Sequence, residues 1–348
     1  MARKKRGGAK PLPDDVLRER INIWRECGHN TSEAARRIGL TRQQIQRNIN
    51  AAVERELITH EECNPSNLPT FARLDEAVER KIRSFEAKRA KGTWRKPSLI
   101  HIAPGPFMLK IFGDPHLDAD ACDIDLFMSE WRKMDEAKSI YGLCVGDFFN
   151  NWTRSLAHLW KHEGDPTDAW VIFEHLMEER GAALLAACSG NHDDWTQAPY
   201  DPIEMVMRRY GARYRMGAIT LAIFDGSHVT SVAMRHKWRG NSMYSAAHGL
   251  LRGALHGWND DLLIGGHTHQ SEIRHYCDAK DGTHSLLVQI EAFKRFDDYV
   301  DVHGFMGQSI APVLNVVVDP SKPATYPDRL KHYWDHDEAA LALERLRG

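Results

Sequence analysis

Four short apolar runs, each of strand character and each followed by a glycine that introduces polar side chains, constrain this chain more than any other feature. Phe107-Met108-Leu109-Lys110-Ile111-Phe112 leads into Gly113-Asp114-Pro115-His116, and Ile140-Tyr141-Gly142-Leu143-Cys144-Val145 leads into Gly146-Asp147-Phe148-Phe149-Asn150. Leu184-Leu185-Ala186-Ala187-Cys188 precedes Gly190-Asn191-His192-Asp193, and Leu262-Leu263-Ile264 precedes Gly266-His267-Thr268-His269. Runs of this length and composition read as strands of a sheet covered on both faces, and ligands of α/β sheets gather beyond the strands' carboxyl ends. The polar clusters should therefore converge. A further strand, Val229 to Met234, entered through a hairpin turn at Asp225-Gly226, leads to a lone histidine, His236.

The clusters supply carboxylate, amide and imidazole groups without a thiolate, the hard and borderline donors that a pair of divalent cations acting on phosphate esters requires. In order, they resemble the calcineurin-like metallophosphoesterase superfamily, whose pattern is D-x-H, G-D-x-x-(N/D), G-N-H-(D/E), a separate H, and G-H-x-H. The resemblance covers about residues 106 to 319. It implies an α/β sandwich of two mixed β-sheets flanked by helices. It also implies that Asp114, His116 and His269 hold one metal, that Asn191, His236 and His267 hold the other, and that Asp147 bridges them. His192 would protonate the leaving oxygen or stabilise the transition state.

The residue types account for those roles independently. A carboxylate has two oxygens, so Asp147 can reach two cations about 3.5–4 Å apart, and two such cations make a bridging hydroxide available as nucleophile near neutral pH. Asp193 is placed to orient the His192 imidazole as an outer acceptor. Mixed Asp, Asn and His ligands suit Mn²⁺, and Fe²⁺, Zn²⁺ or Ni²⁺ as well. With 19 histidines in the chain, His228, His248 and His256 compete for the place given to His236. His236 is favoured because it ends a strand, and because Arg235, Lys237 and Arg239 put cations where a phosphate could be gripped. The segment from Asn150 through Arg154 to His162 begins at the same centre, which makes Asn150 and Arg154 substrate contacts alongside Lys237 and Arg239. Trp152, Trp160, Trp195 and Trp238 could stack nucleobases there, although tryptophan more often packs in a core.

The front of the chain carries a different signal. Asn30-Thr31-Ser32-Glu33 and Thr41-Arg42-Gln43-Gln44 both have capping-box form, separated by Gly39, and a helix from about Pro13 to Glu26 completes a trihelical unit at residues 13–58. Two capped helices joined by a glycine-centred turn resemble the helix-turn-helix, with Arg42, Gln43, Gln46 and Arg47 as the side chains that would read base edges in DNA. A small protein-docking or oligomerisation module has the same outline. A basic arm, residues 1–12, precedes it; a linker with a charged helix, residues 59–105, follows, and residues 320–348 form a tail with a short helix. In the linker Phe71, Leu74, Val78, Ile82 and Phe85 repeat at near-heptad spacing, which allows pairing with a second copy.

Charge is divided along the chain. Residues 1–100 carry 22 Lys plus Arg against 13 Asp plus Glu, while the remainder carries 24 against 35, so the formal net charge of −2 conceals a basic front and an acidic rear. A basic front suits contact with polyanions. Six cysteines without a C-x-x-C pair read as buried reduced thiols, and no apolar run approaches a membrane span, so a cytoplasmic protein is expected.

The expected activity is therefore a two-metal phosphodiesterase acting on nucleic acid, with DNA as the partner and a resemblance to the nuclease subunits of break-repair complexes. No obvious capping domain is expected after the fifth motif, a departure from those subunits that leaves exonuclease polarity open. The motifs equally admit a phosphatase or phosphodiesterase of small nucleotides whose front module serves docking. A DNA-binding regulator with a non-catalytic phosphoesterase domain also stays open.

Overall fold

The computed structural model describes residues 12–59, 62, 71–91, 96–162, 164–196, 200–295 and 311–348. The chain divides into two units, Met1–Lys91 and Gly92–Gly348.

Three helices open the first unit: α1 (Asp14–Glu26), α2 (Thr31–Ile38) and α3 (Arg42–Glu54). The starts of α2 and α3 are chemically specified by side-chain caps. The Asn30 side chain accepts from the Ser32 and Glu33 amides at 3.0 and 3.1 Å, and Gly39 ends α2 at φ 73°. Thr41 and Gln44 form a reciprocal capping box at the start of α3. Caps of this kind each contribute about 1 kcal/mol. The helices enclose Ile21, Trp24, Ala34, Ala35, Ile45, Ile49, Ala52 and Ile58. A fourth helix, α4 (Phe71–Lys91), leaves Val78, Ile82 and Phe85 exposed.

The second unit is an α/β sandwich of two six-stranded mixed sheets. One sheet has the order β12 (Leu330–Tyr333), β11 (Val313–Val318), β2 (Phe107–Phe112), β3 (Ile140–Cys144), β4 (Leu184–Cys188), β5 (Arg213–Arg215). The other runs β1 (Ser98–His101), β6 (Ala218–Phe224), β7 (Val229–Arg235), β8 (Leu262–Gly265), β10 (His284–Gln289), β9 (Glu272–Cys277). Strands β2 to β5 are mutually parallel, and β7 is parallel to β8. Alternation along each strand divides the core. Leu109, Ile111 and Leu143 from the first sheet face Leu221, Val232, Ile264 and Val288 from the second.

Helices cover both outer faces. Helix α5 (Ile124–Arg132) and α6 (Pro166–Arg180) bury Phe127, Trp131, Phe173 and Leu176 with Phe112 and Cys144, while α7 (Pro202–Arg209) adds Ile203 and Val206. On the opposite side α8 (His248–Leu255) packs Leu250 and Ala254 on Leu263 and Leu287. The terminal helix α9 (His336–Arg347) lays Ala339 and Leu343 on Met108 and Val317.

Two expected boundaries move. Strand β1 pairs with β6, so the stretch read as linker already contributes to the second unit's sheet, and β12 pairs with β11, so the tail extends the fold beyond residue 319. Both are edge strands with half-polar sequences that give no strong periodic signal. The cysteines are free thiols among the described residues, but Cys277 is exposed on edge strand β9, not buried.

Buried ion pairs fasten these layers. Lys110 is fully buried on the helix-facing side of β2, where its Nζ donates to Glu130 Oε2 at 2.8 Å and Asn315 Oδ1 at 2.8 Å, and lies 3.3 Å from His336 Nδ1. Arg329, just before β12, reaches the other sheet: Nη1 lies 3.1 Å from Asp261 Oδ1, and Nη2 donates to the Val229 carbonyl at 2.8 Å.

Candidate metal centre

Every polar cluster picked out in the sequence sits beyond the carboxyl end of a strand, three of them on β2, β3 and β4 and two on β7 and β8. The centre therefore draws on both sheets. Its loops are stitched together by main-chain bonds, His116 N–H to the Asp147 carbonyl at 2.9 Å and Leu117 N–H to the Phe148 carbonyl at 2.8 Å.

Two groups of donors result. Asp114, His116 and His269 form one and Asp147, His236 and His267 the other; within each, the ligand atoms all lie within 4.8 Å of one another. Asn191 joins the second group, its Oδ1 3.1 Å from His236 Nε2. Asp147 Oδ2 is 3.1 Å and His267 Nδ1 is 3.2 Å from the same nitrogen. His236 Nδ1 meanwhile faces the Val145 carbonyl at 3.0 Å, and a donor role there fixes the tautomer that leaves Nε2 as a lone pair. Lone pairs from carboxylate, amide and imidazole thus converge on one point. A cation or a proton must occupy it. Without a cation, and in spite of burial, Asp114 and Asp147 hold the His236 imidazole up at about 9.

The first group shows the same conflict. His116 Nε2 and His269 Nε2 face each other at 3.3 Å, while buried Asp114 Oδ1 and His116 Nδ1 have no hydrogen-bond partner. Burial pushes the His116 imidazole well below its usual range and, with neighbouring His236 and Lys237, brings His267 down to about 4. Neutral imidazoles offer lone pairs, so oxygen and nitrogen donors without thiolate fit divalent cations at both groups.

Backbone conformation is part of the arrangement. His116, Asp147, His267 and His269 have φ of 48°, 51°, 71° and 50°. Left-handed non-glycine residues cost about 1–3 kcal/mol each and persist where the surroundings enforce them. Close approach also demands glycine: a Cβ on Gly190 would lie 1.9 Å from Asp147 Oδ1, and one on Gly266 would lie 2.4 Å from Asp114 Oδ1.

His192 borders the centre. Its Nδ1 is held 2.7 Å from the Asn150 carbonyl, its ring is wedged against Trp195 and Trp152 at centroid distances of 4.3 and 5.0 Å, and it meets His116 edge-on. Burial lowers its affinity for a proton, which Asp147 partly offsets.

Several expected contacts are corrected by the geometry. Asp193 does not orient His192. Its carboxylate turns inward to accept from the amides of Phe148 at 2.9 Å and Gly190 at 2.9 Å, which secures the two loops. Asn150 is fully buried, and its carbonyl orients His192, so its side chain does not reach outward to substrate. Arg235 stacks over Trp238 and Trp258, and Trp238 is itself buried beneath α8, donating to the Ile264 carbonyl at 2.7 Å. Lys237 does reach the centre, with Nζ 2.8 Å from His267 Nε2, whereas Arg239 lines a cavity beside it. The side chain of Arg154 lies outside the described residues. His228 pairs with Asp225 at the hairpin and His248 and His256 belong to α8 and its end, so His236 alone of the four lies in the cluster.

Asp118 escaped the sequence reading. It is buried and accepts from the Asn150 amide at 2.6 Å, bracing the loop that carries Asp147. Its position two residues beyond His116 was the available signal. In the first unit, Arg42, Gln43, Gln46 and Arg47 are all exposed on α3, opposite buried Ile45 and Ile49.

No family model and no curated protein matches the chain. Solved structures do. A conserved protein of Streptococcus pneumoniae TIGR4, described as a predicted phosphoesterase, is similar at 13% identity and a TM-score of 0.31, over 67% of this chain and 100% of that one. Vacuolar protein sorting 29 of Cryptosporidium parvum is similar at 13% identity and a TM-score of 0.35, covering 66% of this chain and all of that one. The calcineurin-like phosphoesterase YfkN of Bacillus subtilis is similar at 10% identity and a TM-score of 0.27, covering 70% of this chain and 99% of that one. Among the described residues no helix is long and apolar enough to cross a membrane.

Proposed function

We propose that the second unit is a two-metal phosphodiesterase of calcineurin-like type, that its substrate is DNA, and that the trihelical unit holds that substrate. The observation that carries the reading is the convergence of seven ligand side chains from both sheets on two adjoining points with unmatched lone pairs. Bound there, a pair of divalent cations would supply Lewis acidity and an activated water for in-line attack at phosphorus. Asp114, His116 and His269 would hold one, Asn191, His236 and His267 the other, and Asp147 both.

The protein's own groups do the rest. His192, oriented by the Asn150 carbonyl and fixed by two tryptophans, borders the cluster; in its doubly protonated form, which burial opposes and Asp147 favours, it gives the Nε2 proton to the departing oxygen and keeps the Nδ1 proton on the Asn150 carbonyl. Lys237, with Nζ 2.8 Å from His267 Nε2, stands beside the second group, where its ammonium would meet a phosphate oxygen once His267 served as a ligand. Asp193 and Asp118 keep the loops in register from behind. For the first unit, support comes from the capped pair α2 and α3, the outward Arg and Gln side chains of α3, and the basic front of the sequence.

The test is direct. Purified protein with Mn²⁺ is assayed on duplex DNA, single strands, a chromogenic diester and a monoester. DNA cleavage with weak monoester turnover is expected; rapid monoester hydrolysis with intact DNA would defeat the choice of substrate.

A further inference from the structure

Beyond Lys237 the continuation of β7 builds a second feature. Trp238, Arg239, Gly240 and Asn241, together with Lys237 and with Arg252 from α8, line a cavity of about 520 Å³. Its base is rigid. A Cβ on Gly253 or Gly249 would come within 2.6 or 2.9 Å of Trp238, so α8 lies flat on the indole, which is tied to the Ile264 carbonyl. The same turn draws Arg252 in: its Cδ lies 3.5 Å from where a Cβ on Gly240 would stand.

The lining holds three cationic side chains and no carboxylate. Among the described residues neither Arg239 nor Arg252 forms an ion pair, although residues beyond 100 carry 35 acids against 24 bases. Unmatched cations gathered in an acidic unit mark a place for an anion from outside. The hollow is open to solvent, with Lys237, Arg239 and Arg252 all exposed along it, and is wide enough for more than one phosphate group. Between Asn241 and α8 the loop projects Met243 and Tyr244, each 90% exposed, while Glu272 anchors it behind by accepting from Ser245 Oγ at 2.9 Å and the Ala247 amide at 2.8 Å. The exposed Tyr244 ring, three residues along the chain from Asn241 of the lining, is a side chain on which a base can stack beside these charges.

We propose that this cavity is a second phosphate subsite, in which Arg252 and Arg239 grip a phosphodiester further along the nucleic-acid strand than the bond being hydrolysed. The proposal rests on the phosphodiesterase reading and adds a reason for polymeric substrate: the second contact exists only when a neighbouring linkage is present.

Competition against hydrolysis of bis(p-nitrophenyl) phosphate by the Mn²⁺-loaded full chain reads the subsite without requiring that the competitor be cut. A thymidine tetranucleotide should compete at least about tenfold better than the dinucleotide, which has a single linkage. Arg252→Glu should bring the two within about twofold of each other, Arg252→Lys should keep part of the difference, and kcat/KM for the small diester should stay within about twofold in both. No tetranucleotide advantage in the wild type, or an advantage that survives Arg252→Glu, overturns the proposal. So does thymidine triphosphate losing as much as the tetranucleotide in that variant, since the occupant would then be a free nucleotide. A tetranucleotide that competes but is never cut would refute the nuclease reading and leave the subsite standing. Should no ester be turned over, calorimetric binding of the two oligonucleotides gives the same comparison.

Discussion

Replacing Arg329 with Met tests whether the two sheets are fastened at the end remote from the metal centre. Arg329 and Asp261 are only 6% and 7% exposed, with Nη1 3.1 Å from Oδ1, and the arginine also satisfies the Val229 carbonyl at the start of β7. Removing it strands the carboxylate, which among the described residues keeps only the Ser231 amide and hydroxyl as partners, at 2.8 and 3.0 Å. Breaking one side of a buried pair costs about 3–5 kcal/mol. For a unit of this size each kcal/mol lowers the melting midpoint by about 2–4 °C, so a fall of about 6–20 °C is expected by calorimetry. Asp261→Asn in the Arg329→Met background should recover much of this loss, giving a coupling of at least about 2 kcal/mol in a double-mutant cycle. Hydrolysis well below the transition should be unchanged, because Val229 opens the strand and His236 follows its far end. A midpoint within about 3 °C of wild type, or strictly additive single effects, would refute the staple.

Asp147→Asn should deplete both cations, seen by elemental analysis, and slow turnover by no less than the roughly 10–100-fold that loss of an outer partner costs a metal site. His192→Ala should leave metal content intact and slow a diester with a poor leaving group by about 10²–10⁴, with a much smaller effect on a p-nitrophenyl ester, which needs little help from an acid. Arg42→Ala with Arg47→Ala should lower duplex affinity and flatten the slope of log K against log salt by about 2, with small-diester hydrolysis unchanged; an unaltered slope would make the trihelical unit a docking module. Burial and the adjacent Lys110 bring His336 down to about 4 in the folded protein. Between the ordinary histidine range and that value the unfolded chain binds the extra proton, so stability falls as pH drops from about 6.5 toward 4. His336→Gln should flatten that part of a pH series of melting midpoints, and an unchanged series would dissociate His336 from the acid sensitivity.

The interior was legible because buried parallel strands must be apolar throughout, and β2, β3, β4 and β8 advertise themselves as unbroken runs. Strands at the margins were not. Arg213–Arg215 and Glu272–Cys277 each have a partner on one side only, so solvent accepts their polar side chains and no period survives. Which side chains gather could be read from residue type, because the chemistry of metal donors restricts the candidates. Their supports could not, since the Val145 carbonyl behind His236 and the inward turn of Asp193 are consequences of loops meeting in space. Lys110, lodged in an otherwise apolar strand, reads as an ordinary interruption until Glu130, Asn315 and His336 arrive from distant segments to surround it.

The seven clustered side chains follow strands of both halves of the sandwich, so a pair of cations held among them would also act as a rivet between the halves. Chelation should then register as heat sensitivity of the whole unit as well as loss of activity. On the two-metal proposal, selection for a stable protein and selection for a working one would press on the same seven side chains, and a survey that scored abundance alone would pick them out.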